Sequence, residues 1–115
     1  MNYTLTKSTD VPKVSKFGIN LDIFPSVGGC GVVLVHTETG HNQEFYDTRS
    51  TFTYIVLDGQ GTFFLDDVPV SVARGDCLSI SPKTRIYYKG ALKMVLITTP
   101  AWSPENEVET RAAIW

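Results

Sequence analysis

Hydrophobic and polar residues alternate along most of this chain at the period of an extended strand. Ile19, Leu21 and Ile23 are interleaved with Asn20 and Asp22, which puts the three apolar side chains on one face. Short apolar segments of this kind are separated by clusters of Gly, Pro, Asp and Asn, the punctuation of an all-β protein. The predicted strands are residues 19–23, the β-branched run from Gly31 to Thr37 that Gly40 closes, residues 52–57 and 62–65, the segment around Val70 and Val72, and residues 77–80, 85–88 and 92–98. A glycine-rich turn is expected between Pro25 and Gly31, with tight turns at Asp58-Gly59, Asp66-Asp67 and Arg74-Gly75-Asp76. Asp tolerates the left-handed backbone that such turns demand. So many short strands joined by tight turns specify a sandwich or a barrel, and the pattern alone does not choose between them.

Only the tail breaks the rhythm. Ser103 is a good N-cap residue, Pro104 suits a first helical turn, and Glu105 and Glu107 would sit near the positive end of a helix dipole. A short C-terminal helix is therefore expected from Ser103 to about Ala113, with a weak apolar face of Val108 and Ala112. The terminal Ile114-Trp115 is expected to dock onto the barrel or a second subunit. At the other end, residues 1–16 are mostly polar, with Val11 and Val14 beside Pro12, and read as an extended arm. The organisation is thus an arm over 1–16, a barrel over 17–102 and a tail over 103–115.

Composition narrows the function. A chain of 115 residues is a single domain's worth, able to bury a real core with help from a partner subunit. The net charge is -2 and the cations are scattered, which argues against a nucleic-acid surface. No apolar run approaches the ~18 residues of a membrane span. The first residues, MNYTLTKSTDVPK, lack the apolar core of a signal peptide, so a cytoplasmic protein with no membrane partner is the default. Cys30 and Cys77 have no metal-like spacing, lie in β-rich segments and read as buried free thiols.

The stretch from Gly40 to Gly59 carries a resemblance. It resembles the first motif of the cupin superfamily, G(X)5HXH(X)3-4E(X)6G, and Val56-Leu57-Asp58-Gly59-Gln60-Gly61 is similar to the family's V-L-x-G-x-G segment. Gly75-Asp76-Cys77-Leu78-Ser79-Ile80, followed by Ser81-Pro82-Lys83, resembles the opening of the second motif, G(X)5PXG(X)2H(X)3N. The resemblance spans roughly Val32 to Trp102 and implies an all-β cupin fold, a double-stranded β-helix or jelly-roll barrel, and, as is common among small cupins, a homodimer. In that family, His and Glu side chains at the motif positions hold a metal. Those positions here are Tyr46, Thr48, Phe52 and Ile86. Phe and Ile donate nothing, and neutral Thr and Tyr are poor ligands. The resemblance therefore implies neither a metal nor another cofactor, and the family's metal-dependent activities do not carry over.

Strand alternation then predicts the lumen. If the ligand-equivalent positions point inward, Tyr46, Thr48, Phe52, Tyr54, Ile86 and Tyr88 line it, with His41, Arg49 and Arg85 as rim candidates. An aromatic, hydroxyl-bearing lining suits a small ligand with an apolar face and hydrogen-bonding edges, such as a sugar ring or an aromatic acid. The alternative is that the aromatics fill a closed barrel. For Arg49 and Arg85, surface ion pairs with Asp47 or Glu44 compete with a role at the rim. His36 and Lys93 read as solvent-facing, Asp76 as a cap for backbone amides, and Trp102 as packing on the barrel wall. Three functions stay open: a metal-free binding protein for a small organic ligand, a metal-independent sugar or sugar-nucleotide isomerase or epimerase using Tyr and His41, and a non-catalytic structural or regulatory dimer.

Overall fold

The computed structural model describes residues 2–113 and residue 115. Among these described residues nine strands follow one another: β1 (Lys13–Lys16), β2 (Ile19–Val27), β3 (Cys30–Thr37), β4 (Gly40–Asp47), β5 (Thr51–Leu65), β6 (Val68–Ala73), β7 (Cys77–Ile80), β8 (Ile86–Thr99) and β9 (Glu107–Ala112). They form one curled antiparallel sheet in the order β1-β2-β3-β8-β4-β9, with β5 lying along β8 and carrying β6 and β7. Among the described residues no helix is long and apolar enough to cross a membrane.

The ribbon of β5 and β8 is the spine of the fold, and it corrects two sequence expectations. Asp58-Gly59 is not a turn. β5 runs unbroken from Thr51 to Leu65, with a register shift between Val56 and Asp58. Gly59 bends the strand there, at φ +86, and a Cβ on it would stand 2.0 Å from the Ala91 carbonyl oxygen. Similarly, the segments 85–88 and 92–98 are parts of one strand, β8, which bends through Gly90 at φ +125 opposite Gly61. A glycine with positive φ serves a bulge in a continuous strand as readily as a hairpin turn, so the residue type does not separate the two. The bend lets one half of β8 pair with β4 and the other half with β3. The hairpin turn expected at Asp66-Asp67 is present, with both residues at positive φ, and Asp76 Oδ2 accepts the Ala73 amide at 2.8 Å.

The tail differs more. The helix expected over 103–113 is reduced to a single 3-10 turn, Pro104–Asn106, and residues 107–112 form β9 against β4. Ser103 makes no capping bond to the backbone; its hydroxyl donates to the Glu105 carboxylate instead. The edge of β4 offers unpaired backbone groups, and pairing with them outweighs a weak helix propensity. Ile114 lies outside the described residues. Trp115 is half exposed, with its ring 6.3 Å from that of Tyr87. At the N-terminus, residues 13–16 of the expected arm are an edge strand on β2, and Val11 is buried.

Inward-facing residues make one core. Phe52, Tyr54 and Val56 of β5, Ile86, Tyr88, Leu92, Met94 and Leu96 of β8, and Phe63, Phe45, Val35 and Ile19 belong to it. Beside it, Glu44 is almost fully buried and holds the tail in place. Its carboxylate accepts hydrogen bonds from Arg85 at 3.2 Å, Arg111 at 3.1 Å and the Thr110 hydroxyl at 2.7 Å. Asp67 binds the same two arginines from the β5–β6 turn. Removing the charge strips the two arginines of their buried acceptor and leaves them only the exposed Asp67. Glu44→Gln is expected to lower stability by about 1–2 kcal/mol in urea unfolding; an unchanged midpoint would show that the network carries no net stability.

Candidate functional site

A cavity of about 280 Å³ opens into the core. That is near the lower end of the usual range for small-molecule sites. Its apolar wall comes from Ile19, Leu21 and Ile23 of β2, Val33 and Val35 of β3, and Leu96 of β8, the residues that the period-two pattern turns inward. Its chemistry comes from His41 of β4, Tyr54 of β5 and Tyr88 of β8, set among Phe45 and Phe52. His41 and Tyr88 are cross-strand partners, with ring centroids 5.7 Å apart. Tyr54 meets Tyr88 edge-on at 5.9 Å, and Phe63 stacks on Tyr88 at 4.5 Å, locking both tyrosines in place.

The polar tips of these three residues are free to meet a ligand. Among the described residues, Asp47 Oδ2 alone is a fully occluded side-chain polar atom without a partner. The unbonded hydroxyls of Tyr54 and Tyr88, and His41 Nε2, therefore open onto the cavity. The Gln43 amide N–H donates to His41 Nδ1 at 3.3 Å, a long bond that turns Nε2 inward. Burial lowers the His41 pKa to about 4, with the Lys16 charge adding to the effect. Burial pushes both tyrosine hydroxyls up; for Tyr54, the neighbouring Tyr88 and Glu107 push the same way. At neutral pH the lumen thus holds an uncharged imidazole and two phenols that can only be neutral donors or acceptors.

A charged group stands at the mouth. Lys16 Nζ lies 3.6 Å from Glu107 Oε2 and 5.1 Å from the centre of a Trp102 ring, and Trp102 Nε1–H donates to Glu107 Oε1 at 3.3 Å. The Trp102 amide is held by Thr98 Oγ1 at 3.0 Å. These residues come from β1, the loop after β8 and the start of β9.

The expected site residues separate into two groups. Phe52, Tyr54 and Tyr88 line the cavity, and His41, expected at the rim, is buried in its wall. Ile86 is buried in the core but is not on the cavity wall. Tyr46 is half-buried off the cavity, paired with Val108 of β9, and Thr48 is exposed in the loop after β4. His41 and Phe45, four residues apart on β4, share its inward face, so the inward set on this strand is one residue out of step with the motif frame that placed Tyr46 and Thr48 inside. Arg49 is exposed away from the cavity, and Arg85 is engaged with Glu44, Asp66 and Asp67, the ion-pair alternative. His36 is exposed beside Glu38, and Lys93 is exposed. Cys30 is half-buried. Cys77 is exposed rather than buried, because it falls on the outward face of β7. Lys16, Phe45, Trp102 and Glu107 line the cavity without having been expected there. Strand parity flags Phe45 once His41 is known to face inward, and nothing in the sequence links Lys16 to Glu107.

No family model and no curated protein sequence matches this chain. Solved structures do. A Streptomyces PAC13 variant with uridine is 34% identical, covers 99% of this chain and 95% of its own, and superposes with a TM-score of 0.94. Pac13, a nucleoside dehydratase, is 36% identical over the same shares of both chains, with a TM-score of 0.92. The chain belongs to the cupin superfamily. Ectoine synthase from P. lautus, at 10% identity and a TM-score of 0.77 over 98% of this chain and 94% of its own, shares the fold alone. This cupin lacks the donor set for the family's metal: among the described residues no three His, Cys, Asp or Glu side chains converge. The single imidazole in the lumen is surrounded by phenyl and phenol rings, which do not fit a resident transition metal.

Proposed function

We propose that this cupin binds a nucleoside in the lumen and eliminates water from its sugar. The observation that carries the reading is a spacing. Three PAC13 structures determined with uridine carry single substitutions, one His to Gln and two Tyr to Phe. The substituted residues are separated along that chain by the same intervals as His41, Tyr54 and Tyr88 here, the three residues whose polar tips meet in the cavity. A metal-independent isomerase would draw on the same residues; what the sequence pattern lacked for any such proton chemistry was a buried base, and His41 supplies it.

Elimination of water needs an acidic C–H, which a sugar has only beside a carbonyl, and a hydroxyl one carbon further on. His41 takes that proton at Nε2, which has a lone pair only when the ring's own proton is on Nδ1, so the long Gln43 N–H···Nδ1 contact must open when the substrate binds. The C–H electron pair moves onto the carbonyl oxygen, and a tyrosine hydroxyl stabilises the enolate by donating to it. When the enolate collapses, the C–O bond breaks and the hydroxyl leaves as water with the proton that His41 took up. A pKa near 4 makes the imidazole a weak base, but its conjugate acid is strong and gives the proton up readily.

Calorimetry with uridine and mass spectrometry on nucleosides oxidised to a carbonyl in the sugar test the reading. Binding of uridine and loss of one water from the oxidised nucleoside are expected; absence of both would overturn it. The lining holds a single cation, already paired with Glu107, so a buried phosphate would have no counter-charge. Uridine 5′-phosphate should bind at least about tenfold more weakly than uridine, since burying an unpaired charge is costly. Equal affinities would mean that the phosphate stays in solvent.

A further inference from the structure

The ion pair at the cavity mouth has more hydrogen-bonding capacity than its own contacts use. Glu107 Oε1 is taken by Trp102 Nε1–H, while Oε2 faces only Lys16 across a loose 3.6 Å. Lys16 Nζ has three donors and makes no other ion pair among the described residues. A free donor and a free acceptor therefore stand side by side on the cavity edge, next to the indole of Trp102. As a stability element such an isolated, partly exposed pair is worth little. Its two charges cancel, so it favours a neutral group over an anion or a cation. A carbonyl next to an N–H is the neutral edge that matches it: the ammonium donates to the carbonyl oxygen and the carboxylate accepts from the N–H, as in side-chain contacts to base edges.

We propose that Lys16 and Glu107 read the carbonyl–NH edge of a nucleobase, making them the specificity-determining residues of this site. The inference rests on the nucleoside reading above. With the base held at the mouth beside Trp102, the sugar reaches inward to His41. Trp102 supplies a flat face of the kind on which bases stack.

Calorimetry on the full chain tests it with uridine and 3-methyluridine, which differ in the N–H that Glu107 would accept. Hydrogen bonds to charged groups change affinity by roughly 10- to 100-fold. The wild-type protein is expected to bind uridine at least about tenfold more tightly than 3-methyluridine. Glu107→Gln should weaken uridine binding about tenfold and bring the two ligands to within about threefold of each other. Lys16→Met should weaken both ligands by a similar factor and keep the preference for uridine. Equal binding of the two ligands by the wild type would overturn the proposal and leave the nucleoside reading standing. So would a preference that survives in a folded Glu107→Gln variant. If that variant does not fold, the wild-type ligand pair and Lys16→Met still decide. Failure of the wild type to bind uridine at all would overturn this proposal, and joined with no loss of water from an oxidised nucleoside it would overturn the nucleoside reading too.

Discussion

His41→Gln is expected to cut turnover of an oxidised nucleoside by about 100- to 10,000-fold, the usual contribution of a positioned general acid–base group. Glutamine approximates the reach of the imidazole and can hydrogen-bond a ligand, but it cannot carry a proton between carbon and oxygen. Uridine affinity should therefore change little while kcat collapses. The buried wall offers no replacement: the pKa of both phenols is raised by burial, and the Thr98 hydroxyl, already held by the Trp102 amide, is no base near neutral pH. Tyr54→Phe and Tyr88→Phe should have smaller effects, on the order of tenfold each, because each removes one hydrogen bond to the developing oxyanion and leaves the proton carrier in place. Single-turnover rates with matched melting temperatures check the series. Turnover that survives His41→Gln would remove His41 from the chemistry and with it the proposed mechanism.

The same burial makes folding depend on pH. The His41 pKa falls from 6.5 to about 4 on folding. The unfolded chain therefore binds a proton that the folded chain refuses, and stability must drop as pH falls through that interval. It is complete above about pH 6.5, decreases toward pH 4 and then levels off for this group. The shift corresponds to about 3 kcal/mol, a large share of the stability of a domain this size. Urea unfolding at several pH values should show the loss, and His41→Gln should remove most of it. The comparison of the two proteins isolates His41 from carboxylates such as Asp67, whose arginine partners lower its pKa and whose titration therefore belongs at still lower pH. Parallel pH profiles for wild type and variant would show that the imidazole is hydrated in the folded state and that the cavity is wetter than its lining suggests.

Both expectations rest on a residue whose importance is only partly visible in the sequence. His41 reads there as a rim candidate, because the motif frame places it near the mouth of a barrel. Its burial depends on Phe45, four residues on along the same face of β4, and on Tyr88 of the neighbouring strand packing against it. Taking the ligand-equivalent positions as inward turns Tyr46 and Thr48 toward the lumen and Phe45 away from it, one residue out of step with β4, whose inward face carries His41 and Phe45. On β5 and β8 the same counting works, because Phe52, Tyr54 and Tyr88 lie on stretches where the ladder is regular.

The alternation of apolar and polar residues and the glycine placement were enough to determine the strand content, and the resemblance of two motifs to the cupin pattern added the barrel and an aromatic lining. These are local or nearest-neighbour properties, written in residue type and period. Tertiary structure alone decided three things. It made the tail a strand, because the open edge of β4 outweighed a weak helix signal. It turned two apparent turns into bends within long strands, because a positive φ at glycine is compatible with either. And it brought Lys16, Trp102 and Glu107 to the mouth of the cavity above His41, since residues far apart along a chain become neighbours only when the sheet curls and closes the distance between them.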